Sequence, residues 1–538
     1  MERQYREDIP RRHTLTKDDG ILFLALLSSL YLVERIITED AWFMMNCGRY
    51  VETYGIPHVD PFSFHAGLHY VMQQWLFDVF LWKLYAFTGL DGLIAYSFLS
   101  QVVILLAFCG LLWTISKGNR PLIAVISIPV SFYLARGFAT QRPWTVSCLL
   151  FLCEIWLLER YRGTPKKWIF GVFFVLSALS VNVHAAMWPM LLVFLLPYAA
   201  DALFRKRATS FFACEDGWGI RAIGAFSLII LLGGFLNPYG WEGMQYGLLT
   251  YGQESIAYAV TEMHALSVKM SLGLIVIPLI LALTAFYARH LVPLRLVLLS
   301  AGTAFMALSA GRNVMLFMLF GFLGVAWFYR DKKIPACTVS SKSIFIMVAV
   351  ATGSLLLSWQ TLLEIFQQHP FEVFLYLALP ILFAIFFRHT KWFCYFCFVI
   401  LFISPITLQY GQRVGVAKGL QEATKIIQED NPNAKIVADC TDGSYAGFYG
   451  IPCYYDTRCD AFIKESNWKK DYMKERNNLK RGALYYKDFL ASYPEVTHVL
   501  THGQDLLFEY LNHDPDFELI YDSGMDEWWG EYRVFKKK

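Results

Sequence analysis

Charged residues are scarce in this chain of 538 residues. Asp, Glu, Lys and Arg make up 17% of it, against about 25% in soluble domains, whereas apolar residues make up 56%. That composition excludes an ordinary soluble protein and implies a chain that crosses a membrane many times. The net charge of +3 is too small to argue for nucleic acid as a partner. There is no HExxH, no P-loop, no GxGxxG after a strand and no paired CxxC, so hydride, nucleotide and zinc chemistry have no support. Internal repeats and low-complexity runs are missing as well. Residues 21–37 form the first apolar run. No small-x-small cleavage site follows it, and Glu34 and Arg35 interrupt its end. It reads as an uncleaved first span with its N-terminus in the cytoplasm.

What is present is aromatic and apolar. Phe, Tyr and Trp number 44, 30 and 16, a supply suited to belts at the bilayer interface. Of the 11 cysteines, Cys109, Cys148, Cys153, Cys394 and Cys397 fall in apolar spans and act as small hydrophobes. Cys440, Cys453 and Cys459 lie in the polar C-terminal part, where one pair could form a disulfide if that part is extracytoplasmic. After the first span, apolar segments recur at residues 93–115, 122–135, 145–158, 169–181, 190–203, 220–236, 272–288, 294–309, 315–328, 343–359, 371–387 and 393–408. That makes about thirteen spans, with every basic cluster on one side. Residues 75–88 carry Asp78 and Lys83 and are too short and polar to cross; they read as a helix lying on the membrane. If they crossed, the downstream basic clusters would land outside, against the positive-inside rule.

From about residue 411 the composition turns soluble. The fold class is therefore an α-helical polytopic membrane protein with a small C-terminal extracytoplasmic α/β domain. Residues 1–410 form the membrane domain, with a large outer loop at 38–92, and residues 411–538 form the soluble domain. In the latter, helices are expected at 417–430 and 506–512, a basic amphipathic stretch at 469–490, and strands at 434–438, 452–456, 497–501, 518–521 and 532–535. The stretch DGSYAGFYG lacks the Lys and helix signal of a phosphate loop and reads as a turn.

The segment 38–74 sets Glu39, Asp40 and Asp60 beside aromatics, prolines and histidines at the edge of a span. An active site at the membrane surface explains this placement. So does an acidic cap opening a surface helix, and the two are compatible. Other polar groups fall on the same outer side: Arg136, Arg142, His184, Asn237, Glu262, His264, Arg312 and Asn313. Three of these, Arg136, Arg142 and Arg312, break the positive-inside pattern. A planar fork of donors with a permanent charge suits a lipid phosphate; the plainer alternative is snorkelling to ordinary headgroups. Asp40 is the candidate general base or ligand of a hard divalent cation. Glu262 is either its partner acid or a solvated loop charge, and His184 either a ligand or an interface residue.

Asp40-Ala41-Trp42-Phe43, then Gly48-Arg49-Tyr50-Val51-Glu52 and Tyr54-Gly55, resemble the first-loop motif of the GT-C glycosyltransferases. The catalytic subunit of oligosaccharyltransferase has a similar Asp-x-Trp-Phe opening. Bacterial multi-spanning GT-C-like proteins are more similar still, with a pattern that ends here at Gly55-Ile56-Pro57 and Asp60-Pro61-Phe62-Ser63. Arg142-Pro143, Asn182-Val183-His184, Asn237-Pro238-Tyr239-Gly240 and Arg312-Asn313 resemble their later signatures, and the layout is similar to the lipid A aminoarabinose transferase type. The resemblance implies a multi-pass cell-membrane enzyme moving a sugar from a polyprenyl-phosphate carrier to an extracytoplasmic glycan, lipid or protein acceptor. Asp40 and Glu39 would then be catalytic. Arg49, Asp60, Arg136, Arg142, His184, Asn237, Glu262, Arg312 and Asn313 would bind substrate, the arginines holding the carrier phosphate. In one respect the chain departs from the oligosaccharyltransferase type. The outer loop RGFATQRPW has no acidic pair, so a divalent cation (Mg or Mn) would have Asp40 as its ligand but lacks that second carboxylate set, and N-glycosylation is disfavoured. Rival readings are a transporter or flippase for a lipid or glycan, which usually shows internal repeats and mid-membrane charges, and a non-catalytic scaffold on the same fold.

Overall fold

The computed structural model describes residues 33, 36–138, 140–164, 166–205, 211–268, 271–332, 416–503, 506–525 and 530–538. The expected spans at 343–359, 371–387 and 393–408, and nearly all of 21–37, lie outside the described residues, and the full count of spans with them. The chain divides into two compact units. In the first (Met1–Val33, Phe108–Gly137, Val325–Gly411), the helix Arg120–Gly137 follows a turn at Lys117 and Gly118, both with positive φ. Lys117 pairs with Asp331 at 3.2 Å, and Asn119 Nδ2 donates to the carbonyls of Tyr329 and Lys332.

The second unit (Glu34–Ala107, Phe138–Gly324, Gln412–Lys538) holds most of the apolar helices. Expected spans appear as helices Trp144–Arg160, Lys167–Val183, Met190–Phe204, Ile220–Gly234, Ser271–Arg289 and Leu294–Ser309. The segment 315–328 instead breaks at Gly321 and Phe322 into Val314–Phe320 and Leu323–Phe328. Four stretches among the described residues are long and apolar enough to cross a membrane: Trp75–Ile115, Ala185–Phe204, Leu272–Arg289 and Gly311–Phe328. At one end of the bundle, Arg295 is 1% exposed and pairs with Glu159 at 2.8 Å and Glu215 at 2.9 Å. Tyr198 donates to the same Glu159, so the buried charges are matched by both charge and hydrogen bonds.

Residues 75–115 form two helices that meet at Gly89, where φ is 67° and ψ is −156°. The break falls between the expected surface helix and the expected span. A glycine is needed there because side chains with a Cβ rarely adopt positive φ. Upstream, the helix Glu39–Tyr54 opens with two acids in its first turn, matched to the positive end of the helix dipole. It ends at Gly55 (φ 82°), whose N–H bonds to Val51 O. Its buried face carries Ala41, Trp42, Met44, Met45, Cys47 and Gly48. A Cβ on Gly48 would sit 2.1 Å from Asp78 O, so this glycine lets the helix lie directly on the backbone of the next one.

The C-terminal segment forms a four-stranded sheet in the order β1-β2-β4-β3, with β1 Ile436–Val437, β2 His498–His502, β3 Phe517–Asp522 and β4 Tyr532–Lys537. β1 and β2 are parallel; the other two pairings are antiparallel, and a bulge at Leu519/Tyr521 shifts the β3–β4 register. Two expectations are corrected here. The supposed turn DGSYAGFYG is helical up to Phe448, in a helix Cys440–Phe448 capped by the Asp439 side chain, and only Tyr449 and Gly450 form a turn. Packing overrides the low helix propensity of its glycines: a Cβ on Gly443 would meet Tyr455 O at 2.5 Å. The expected strand at 452–456 is reduced to isolated bridges from Cys453 to Ile436 and to Ser63. The cysteines Cys440, Cys453 and Cys459 are all free thiols.

The segment 38–92 and the C-terminal segment interlock. Trp42 packs edge-on against Tyr445 and Phe448, with ring centroids 4.9 and 5.2 Å away. Asn46 and Arg49 donate to the carbonyls of Gly447 and Phe448. Arg458 reaches back to Asp60.

Candidate active site

Asp40 stands in the first turn of Glu39–Tyr54, and Arg142 in the loop that leads through Pro143 into Trp144–Arg160. Arg142 Nε lies 2.9 Å from Asp40 Oδ2, and its Nη1 lies 3.3 Å from Glu262 Oε2. The guanidinium thus joins the helix Glu39–Tyr54, the loop before Trp144 and the segment 238–269. Asp40 foremost, with Glu262 and Glu39, raises the proton affinity of Arg142 and keeps it charged. Exposures of 33% for Arg142, 25% for Asp40 and 45% for Glu262 leave the group open to an incoming ligand. Glu39 is exposed beside it and within electrostatic reach of Asp442.

Arg312 lies in a single turn, Gly311–Asn313, within electrostatic reach of Glu262, Asp460 and Arg142. Its Nη1 donates to Met263 Sδ at 3.2 Å, a weak acceptor for a charged donor. His184, at the end of Lys167–Val183, is buried with Nδ1 2.9 Å from Ser147 Oγ and Trp144 edge-on to its ring. Burial first, then the charge of Arg312, pushes its pKa down to about 3. The imidazole is neutral at physiological pH.

Asp40, Arg142, Glu262, Arg312 and His184, part of the larger set grouped from the sequence, therefore share one neighbourhood. Other expected site residues have structural engagements. Asp60 is buried and accepts from Arg458 Nη1 at 2.6 Å, while Arg458 is also forked onto Asp456. Burial pushes the Asp60 carboxyl up, but Arg458 and Ser63 more than offset this and hold it below its usual range. Arg49 lies over the Phe448 ring and bonds to Asn46 and Phe448 O. Asn237 ties its own turn, donating to Gly234 O and Gly240 O and accepting from Tyr239 N. Asn313 donates to Met306 O from a buried position. Arg136 lies near the end of the helix Arg120–Gly137 in the other unit.

Three residues of the same neighbourhood were not singled out from the sequence: Asp460, Tyr246 and Gln73. Asp460 Oδ2 accepts from Tyr246 OH at 2.5 Å and from Gln73 Nε2 at 3.1 Å. No local pattern marks them, since each is one polar residue on a different segment. The residues around Asp40 do not fit a divalent cation held there. Among the described residues no three His, Cys, Asp or Glu side chains come together as a ligand set. Moreover, the carboxylate proposed as the ligand faces a guanidinium at 2.9 Å, a contact that a cation at the same oxygen would oppose.

No protein-family model matches the chain, and no curated protein matches it by sequence. Solved structures do match it. ArnT from Cupriavidus metallidurans bound to undecaprenyl phosphate is similar at 14% identity and a TM-score of 0.58, over 96% of this chain and 97% of that one. The archaeal oligosaccharyltransferase AglB from Archaeoglobus fulgidus, in complex with an inhibitory peptide and a dolichol-phosphate, is similar at 10% identity and a TM-score of 0.53, over 90% of this chain and 69% of that one. Identities this low speak for the fold and leave the reaction to the site. The chain has the fold of the GT-C membrane glycosyltransferases.

Proposed function

We propose that this protein is an integral-membrane glycosyltransferase that moves a sugar from a polyprenyl-phosphate carrier to an extracytoplasmic acceptor, with inversion at the anomeric carbon. The observation that carries this reading is the pair of arginines, Arg142 and Arg312, set beside Asp40 and Glu262 in a chain of this fold. Neighbours of the same fold hold undecaprenyl phosphate and dolichol-phosphate, so the carrier phosphate is the ligand to which the arginines are assigned.

When the bond between the anomeric carbon and the phosphate oxygen breaks, its electron pair leaves with the phosphate. Fixed positive groups aimed at the growing charge lower the barrier because they need no reorganisation. Arg142 is held by Asp40 and Glu262 before the donor arrives, and Arg312 gives up only a thioether. Asp40 is assigned the part of orienting Arg142, and Glu39 adds negative field on the same side. The neutral His184, packed against Trp144 and Ser147, adds no competing charge. Residues 411–538 are assigned to the outer face with the loop 38–92, where the acceptor enters.

The test is turnover of a panel of labelled polyprenyl-phosphate sugars by the purified protein in liposomes, wild type beside Asp40→Asn and Arg312→Ala. Consumption of one donor by wild type, with loss in both folded variants, is the expected result. If no donor is consumed and labelled lipid moves between leaflets, the protein is a transporter.

A further inference from the structure

Two non-glycine residues among those described have positive φ, Lys117 and Trp468. Trp468 follows the short helix Lys464–Asn467 with φ 61° and ψ 13°, and its N–H closes that helix on Lys464 O at 2.9 Å. Glycine or asparagine ordinarily takes such a position, because a bulky side chain is strained in left-handed backbone. Burial does not offset the strain, since the residue is 65% exposed. Strained residues of this kind cluster at ligand clamps.

The indole is nevertheless held firmly. One face rests on the His69 ring, with centroids 3.7 Å apart and planes 10° from parallel. His69 is fixed in turn: its N–H donates to Asn467 O at 3.3 Å, and its Nε2 lies 3.4 Å from Glu242 Oε2. The turn that carries Trp468 is pinned by the buried Asn467. Its Nδ2 donates to Lys470 O, and its Oδ1 accepts from the N–H groups of Lys469 and Lys470. Three separate segments thus present an aromatic ring to solvent in one orientation, which lowers the entropy cost of binding to it.

The surroundings of that ring select its ligand. Lys464, Glu465, Lys469 and Lys470 flank it in the chain and are exposed, and Glu242 is 40% exposed beside His69. A bilayer or an apolar protein surface laid on the indole would strip water from these charges. A ligand with one flat apolar face and a rim of hydroxyls would not. A sugar ring has that form: the C–H groups of one face meet the negative face of the indole, and its hydroxyls reach the charged groups around it. We propose that Trp468, backed by His69 and flanked by Glu242, is a binding platform for a sugar ring of a glycan. Binding of this kind needs no transfer, so the platform goes beyond the transferase reading and does not depend on it.

The experiment is saturation-transfer NMR of the full-length protein in nanodiscs against cello-, chito-, manno- and malto-oligosaccharides, with thermal unfolding of each variant. Wild type is expected to bind at least one of these classes, with saturation strongest at ring C–H protons. Trp468→Ala is expected to bind it about tenfold more weakly, and Trp468→Phe to lie between the two. Should Trp468→Ala fail to fold, Trp468→Gly decides, because glycine suits the positive φ; it too is expected to lose the binding. Wild-type affinity in Trp468→Ala or Trp468→Gly, or no binding of any oligosaccharide by wild type, overturns the platform. So does quenching of wild-type fluorescence by brominated lipid that is lost in Trp468→Phe, which would put the ring in the bilayer. Donor turnover is a separate readout, and each of these failures leaves the transferase reading standing.

Discussion

A guanidinium shared by two part-exposed carboxylates contributes little to stability, about 0–1 kcal/mol per pair, and can be taken over by a phosphate. Arg142 has this character. Arg142→Lys keeps the charge but loses the fork, so transfer is expected to fall roughly 10²-fold with the melting temperature nearly unchanged; initial rates and thermal unfolding check this. Asp60 behaves oppositely, because it is buried against Arg458. Asp60→Ala leaves a buried cation short of a partner and is expected to cost about 3–5 kcal/mol. The sign of its pH dependence follows from its depressed pKa. The stabilisation is complete above the unfolded carboxylate value of 3.8 and is lost as pH falls through the lower folded value. Acid titration of unfolding should therefore show a loss below pH 3.8 that Asp60→Asn removes. Asp40, Arg142 and Arg312 stood out in the sequence because charge at a span end is rare, whereas Glu262 and His184 were grouped with them only by the side on which they were expected. Asp460 did not stand out, because an acid in a soluble segment is ordinary.

Two helices carry the site by close approach. At Gly48 the absence of a side chain brings Glu39–Tyr54 onto the backbone at Asp78, and a Cβ there meets Asp78 O at 2.1 Å. Gly48→Ala must push the helices apart and is expected to cost roughly 1–3 kcal/mol, tilting Asp40 away from Arg142 and lowering activity with stability. A Cβ at Gly224, within Ile220–Gly234, meets nothing within 4 Å. Gly224→Ala is expected to be neutral or stabilising by about 0.5–1 kcal/mol. Parallel melting curves of the two variants separate the close approach from a general effect of helical alanine. Helix positions were legible from apolar runs, as with Leu294–Ser309. The helix Cys440–Phe448 was not. Its glycines argue for a turn, and it forms because Asp439 caps it and Trp42, far away in sequence, covers Tyr445 and Phe448.

In the whole molecule, the C-terminal segment completes the segment 38–92. Trp42, Asn46, Arg49, Asp60 and His65 all take partners from beyond residue 440. A chain ending at residue 410 is expected to expose Trp42 and Arg49, so trypsin should cut after Arg49 in the truncated protein and spare it in the intact one. Fragment mapping of a brief digest in membranes reads this directly. Equal resistance in both chains would mean that the loop holds its shape unaided.

Sequence alone determined the class of this protein and, among the described residues, most of its long apolar helices, since the cost of placing polar backbone and charge in lipid leaves long apolar runs few alternatives. It also drew attention to Asp40, Arg142 and Arg312, because charge at the end of an apolar run needs a reason. Only the tertiary structure decided which acids face cations and which face neutral donors. That depends on separations of a few ångströms between residues hundreds of positions apart, such as Asp60 and Arg458 or Gln73 and Asp460. Burial and partner charge, which set what each carboxylate can do, exist only once those segments have met.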